Sequence, residues 1–185
     1  TAPRWLEKQE TEGPLVAPQF SSDGKTLVTV KGPGNVICMD IGTGLVQQRF
    51  TLPESKSMNE KNHITMVVTD SSQIYCGTST GKVEVLDLKT STLTKTIPVS
   101  RSGSAITSLS LAPDGKQLLA GDAVGNTVWI NPLNDSPPVS RQAHKGRVRA
   151  ATYSPDGRWA ATAAEGGTVV IWDVAQQSKR SILNG

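Results

Sequence analysis

Residues 154–173 read Ser154-Pro155-Asp156-Gly157-Arg158-Trp159-Ala160-Ala161-Thr162-Ala163-Ala164-Glu165-Gly166-Gly167-Thr168-Val169-Val170-Ile171-Trp172-Asp173. A Pro-Asp-Gly turn opens the stretch, because proline presets φ and glycine tolerates φ > 0. A short run from Trp159 to Thr162 follows, then a glycine pair, then a β-branched run from Val169 to Trp172 closed by Asp173. Two short apolar runs about a glycine turn predict two antiparallel strands. Three more copies of this frame lie upstream. Counting from an aspartate, a glycine stands eleven residues on and an Asp or Asn six further: Asp23, Gly34, Asp40; Asp70, Gly81, Asp87; Asp114, Gly125, Asn131; and Asp156, Gly167, Asp173. The leading aspartates are 47, 44 and 42 residues apart, so length varies only outside the frame. Such a period is the signature of stacked supersecondary units.

Two further strands flank each frame. One precedes the turn, at Leu15 to Phe20, Ile64 to Val68, Ile106 to Leu111 and Val148 to Tyr153. The other follows the last anchor, at Leu45 to Phe50, Leu93 to Ile97, Pro138 to Arg141 and Lys179 to Leu183. The second copy lacks the Pro-Asp-Gly chemistry, and its turn is expected to be about two residues shorter. Four antiparallel strands per unit make a propeller blade, which covers its faces only by stacking on neighbours. The expected fold is therefore all-β: a β-propeller with four visible blades, at residues 13–54, 55–99, 100–141 and 142–185, as part of a larger ring. Residues 1–12, with Trp5, stand where the outer strand of a preceding or closing blade would lie.

The last unit carries Ala143-His144-Lys145-Gly146-Arg147-Val148, then Ser154-Pro155-Asp156-Gly157, then Trp172-Asp173. In these residues it resembles a WD40 repeat. The other units match in part and close on Met39-Asp40, Leu86-Asp87 and Ile130-Asn131. The resemblance implies a propeller that holds other macromolecules together without catalysis. It also implies structural roles for His144, Thr162, Trp172, Asp173, Asp156 and Asp114. The family's His–Ser/Thr–Asp–Trp network is incomplete in every unit, since its Asp position holds Gly166 in the last blade and Pro33, Thr80 and Val124 in the others. Apolar packing is therefore expected to hold the blades. A ring of this kind has seven or eight blades, so four trace about half. The missing part is expected from a longer or split propeller; a two-fold pair of half-rings and a compact four-bladed ring are the alternatives.

Composition narrows the function. Apolar residues make up 36% of the 185, and no run of about 18 of them exists to cross a membrane. Ser and Thr number 37 and Gly and Pro 28, a strand-and-turn composition. Cys38 and Cys76 lack companions at zinc-ligand spacing and are expected as buried apolar side chains. With His63 and His144 as the only histidines, and no phosphate loop or paired-carboxylate motif, neither a catalytic group nor a cofactor is expected. The expected partners are proteins, or further blades completing the ring. A net charge of +3 is low for a nucleic-acid binder. The basic residues do cluster late in the chain, and Lys145, Arg147, Arg149 and Arg158 are the candidate contacts for an acidic or phosphorylated peptide or a nucleic-acid backbone, with a solvated basic rim that has no dedicated ligand as the alternative. A small ligand at the central channel is the competing function.

Overall fold

A computed structural model describes residues 15–31, 34–52, 64–70 and 72–185. The expected outer strand within residues 1–12, and His63, lie outside them. The described chain forms sixteen strands in four antiparallel sheets of four, each in sequence order. The first sheet is β1 (Leu15–Phe20), β2 (Thr26–Lys31), β3 (Asn35–Asp40) and β4 (Val46–Thr51). The second is β5 (Ile64–Thr69), β6 (Gln73–Thr78), β7 (Lys82–Asp87) and β8 (Thr92–Pro98). The third is β9 (Ile106–Leu111), β10 (Leu118–Asp122), β11 (Asn126–Ile130) and β12 (Val139–Gln142). The fourth is β13 (Val148–Tyr153), β14 (Trp159–Ala164), β15 (Thr168–Asp173) and β16 (Ser178–Asn184).

The repeated frame has a direct physical meaning. Its glycine closes the turn between the second and third strands with positive φ in every sheet: 85° at Gly34, 75° at Gly81, 94° at Gly125 and 78° at Gly167. A side chain is strained there. At Gly125 it would also collide, because a Cβ would sit 2.2 Å from the His144 carbonyl oxygen. The β5–β6 turn spans three residues against five in β1–β2 and β13–β14, as its missing Pro-Asp-Gly suggested.

The core lies between sheets rather than within one. Val28, Val30, Val36 and Cys38 of the first sheet pack against Ile64, Ile74, Cys76 and Leu86 of the second. The opposite face of the second sheet, with Tyr75, Val83 and Val85, packs against Ile106, Leu118, Ala120 and Val128 of the third. Leu119 and Trp129 of the third then meet Ala160, Val170 and Trp172 of the fourth, with the two indoles edge-to-face at 4.8 Å. Side chains alternate across a strand, so a sheet between two neighbours is buried on both faces. Strand β10 is buried throughout, whereas β14 alternates buried and half-buried. The fourth sheet thus has one covered face and one free face, the latter carrying Ala161, Ala163, Val169 and Ile171.

The innermost strands run side by side as β1, β5, β9, β13, and among the described residues β13 forms no packed seam with β1. The four blades make an open arc. Threonines pin the arc along its inner edge. Thr107 Oγ1 donates to the Val148 carbonyl of the next blade at 2.6 Å, and Thr65 Oγ1 donates in the same way to Ile106. The matching residue of the fourth blade is Arg149, which pairs with Glu165. Both cysteines are free thiols buried in the first seam, where desolvation pushes Cys38 up to about 12.

Candidate functional site: two rims of opposite charge

Each innermost strand starts at one end of the arc, here called the upper rim, and ends at the lower rim. The lower rim gathers the first-to-second and third-to-fourth strand turns, and with them the repeat aspartates. Asp156 Oδ1 accepts from Ser154 Oγ at 2.6 Å and from the Arg158 amide at 3.1 Å. Asp23 does the same with Ser21 and Lys25. Asp114 accepts from the Lys116 amide, and Asp173 from the Gln176 amide. Asp40 and Asp87 each hold the backbone and hydroxyl of a threonine three residues on. These are side-chain turns that substitute for backbone bonds. The same bonds favour the charged form and hold Asp23, Asp40, Asp87 and Asp156 below the usual carboxylate range. Counting Asp70 and Asp135, the described lower rim has eight aspartates against Lys25, Lys89, Lys95, Lys116 and Arg158, with Lys95 paired to Asp135 at 2.8 Å.

The fourth blade contains a buried polar chain that faces the third. Trp172 Nε1–H donates to Thr162 Oγ1 at 2.9 Å, and Thr162 Oγ1 lies 2.9 Å from His144 Nε2. His144 Nδ1 lies 2.9 Å from Thr168 Oγ1. Placing the ring proton on Nδ1 lets Thr162 donate to Nε2 and Nδ1–H donate to Thr168, so each hydrogen is used once. Burial, with Lys179 nearby, pulls the His144 pKa down and keeps the ring neutral. Thr168 thus partners the ring in a blade whose aspartate position holds Gly166, and the motif carried no signal for it.

The upper rim has the opposite charge. Lys31, Lys82, Arg101, Lys145, Arg147 and Arg149 stand at strand ends and links there. Glu165 is the one exposed acid among the described residues of that rim, since Asp122 is fully buried and accepts from Val124, Asn126 and its side-chain amide. Lys145, Arg147 and Arg149 therefore lie together, as their shared link and strand require. Arg158 does not join them, because it sits on the β13–β14 turn at the far end of a six-residue strand, about 20 Å away. Arg149 is already paired with Glu165. Lys82 and Arg101 are exposed rim cations that proximity in sequence could not reveal.

The WD40 family profile, described as "WD domain, G-beta repeat", matches residues 136–173. Over 170 residues the chain is 28% identical to the target of rapamycin complex subunit wat1 of Schizosaccharomyces pombe, covering 89% of this chain and 52% of that one. It is 32% identical over 81 residues to the target of rapamycin complex subunit LST8 of Saccharomyces cerevisiae, covering 43% and 27%. A chain in the crystal structure of a mitotic checkpoint complex superposes with a TM-score of 0.83 at 15% identity, over 96% of this chain and 53% of that one. The chain carries a WD40 repeat at residues 136–173. It spans about half the length of the first of these relatives and of the solved chain. In WD40 terms, the matched stretch runs from the end of the third blade to the closing Trp172-Asp173 of the fourth, where the motif residues are densest.

On the axis side, the arc encloses a space of about 430 Å³ lined by strands β1, β9 and β13. Its walls are serine and threonine hydroxyls, leucine and alanine side chains, Gln19, Phe20 and Arg149, with no histidine, cysteine or carboxylate among the described lining residues.

Proposed function

We propose that this chain is a section of a WD40 ring, with blades at 13–54, 55–99, 100–141 and 142–185, that serves as a non-catalytic scaffold for protein partners. The observation that carries the ring reading is the free face of the fourth blade: half-buried Ala161, Ala163, Val169 and Ile171 occupy positions that a neighbour covers in the second and third blades. The scaffold reading draws on the relatives, two of which are named as subunits of a complex. Partner contacts are assigned to Lys145 and Arg147 on the upper rim. Arg149 contributes less there because Glu165 neutralises it, and Arg158 belongs to the other rim. The test is native mass spectrometry of the gene product purified from its own cells at natural abundance. A stoichiometric assembly with at least one other protein is expected. A product recovered alone, carrying a small molecule lost on substitution of Arg149 or Thr152 in the axial space, would overturn the reading in favour of a ligand-binding propeller.

A further inference from the structure

The two rims differ in charge, and the distance between them makes that difference a recognition device. At physiological salt the Debye length is about 8 Å, well short of the roughly 20 Å between rims. A molecule on one rim therefore feels that rim alone, and the net charge of +3 describes neither surface. On the upper rim Lys82, Arg101, Lys145 and Arg147 are all exposed, and none is held by a carboxylate among the described residues. They are spread over the second, third and fourth blades, at the start of β7 and on the links into β9 and β13. Between them the β8–β9 link presents the hydroxyls of Ser100, Ser102 and Ser104, which bond to one another in a row. Cations with interleaved hydroxyl donors suit carboxylates spaced along an extended chain.

Resting on the scaffold reading above, we infer that the upper rim is the docking surface for an acidic, carboxylate-rich segment of a protein partner, laid along the arc from the second blade to the fourth. Single-stranded nucleic acid fits less well, because binding it combines a basic groove with aromatic platforms. Among the described residues the upper rim exposes no aromatic side chain: Trp129 and Trp172 are buried in a seam, and the exposed Phe20 ends β1 at the lower rim. The acidic lower rim has the complementary role of excluding the same segment, so the partner approaches from one side only.

The experiment measures binding of a fluorescein-labelled deca-glutamate peptide, and of a labelled ten-nucleotide oligo-dT, to the full chain by anisotropy at about 50 and 200 mM salt. Three variants accompany it. Lys82→Glu, Arg101→Glu, Lys145→Glu and Arg147→Glu together reverse the upper rim, and the same four positions changed to Gln neutralise it. Lys25→Glu, Lys89→Glu, Lys116→Glu and Arg158→Glu alter the net charge by the same amount at the lower rim. The peptide is expected to bind the parent chain and the lower-rim variant alike, and to lose at least about tenfold in affinity on the upper-rim reversal. The Gln set gives the same direction should the reversal impair folding. Equal losses from the two rims, or oligo-dT binding as tightly as the peptide, would overturn the inference. If the peptide fails to bind while the native assembly is recovered, the docking surface is wrong and the scaffold reading stands. Peptide binding without any native assembly would sink the scaffold reading instead.

Discussion

Two threonines in one seam show how the same hydroxyl can help or harm. Thr162 is 1% exposed and bonds to both His144 and Trp172, whereas Thr127 is fully buried and its Oγ1 has no hydrogen-bond partner. Thr127 also stands where the other three blades have Val36, Val83 and Val169. Replacing Thr162 with Val leaves the indole N–H and one imidazole nitrogen unsatisfied in a buried site, at a cost of about 2–4 kcal/mol. Replacing Thr127 with Val removes an unpaired hydroxyl and is expected to stabilise by about 1 kcal/mol. In a chain of this size that means a Tm lower by about 5–10 °C for Thr162→Val and higher by about 2–4 °C for Thr127→Val. Calorimetry of the two variants checks both signs at once. At this scale the sequence was half legible: the pattern pointed to His144, Thr162 and Trp172, but a motif written with an aspartate could not suggest Thr168 as the last acceptor. The repeat aspartates were visible as markers, while their work as turn acceptors needed the coordinates of the turns.

At the scale of strands and sheets, legibility followed locality. Strand positions emerged because short β-branched runs and turn chemistry are properties of neighbouring residues, and the shortened β5–β6 turn was readable for the same reason. What joins one sheet to the next was not readable, because it depends on how closely the innermost strands approach. The Thr107 hydroxyl illustrates this: its acceptor, the Val148 carbonyl, lies 41 residues away. Thr107→Val is expected to break that link and leave a carbonyl short of a donor, destabilising the fold by about 1 kcal/mol. The loss should be felt locally, with amide exchange accelerating over Val148–Tyr153 more than over Ile74–Cys76, two seams away. Uniform acceleration across all four sheets would show that the blades unfold as one unit and that the threonine acts only on global stability. Sequence proximity misled in one place for a related reason. Arg158 is nine residues from Arg149, yet one strand carries it to the opposite rim.

For the whole molecule, the number of blades could be counted from the sequence but the shape they make could not. Curvature is set by the packing between sheets, and that packing leaves the arc open beyond the fourth blade. The cost of an open arc falls on one surface. Val170 and Trp172 point into the seam with the third blade, while Val169 and Ile171, one residue away on the same strand, point out of it. Leu183, paired with Val169, extends that face and is 58% exposed. Contiguous apolar surface of this kind drives association when no neighbour covers it. The isolated chain is therefore expected to run above its monomer mass of 19.6 kDa in light scattering. Val169→Glu with Ile171→Glu should return it to 19.6 kDa with little change in Tm, because neither side chain is buried. Val170→Glu, on the covered side of the same strand, should unfold it. A parent chain that is monomeric and melts cooperatively would mean that four blades are sufficient by themselves. A double variant that still associates would move the contact to the first blade, whose own outward side carries Leu27 and Thr29.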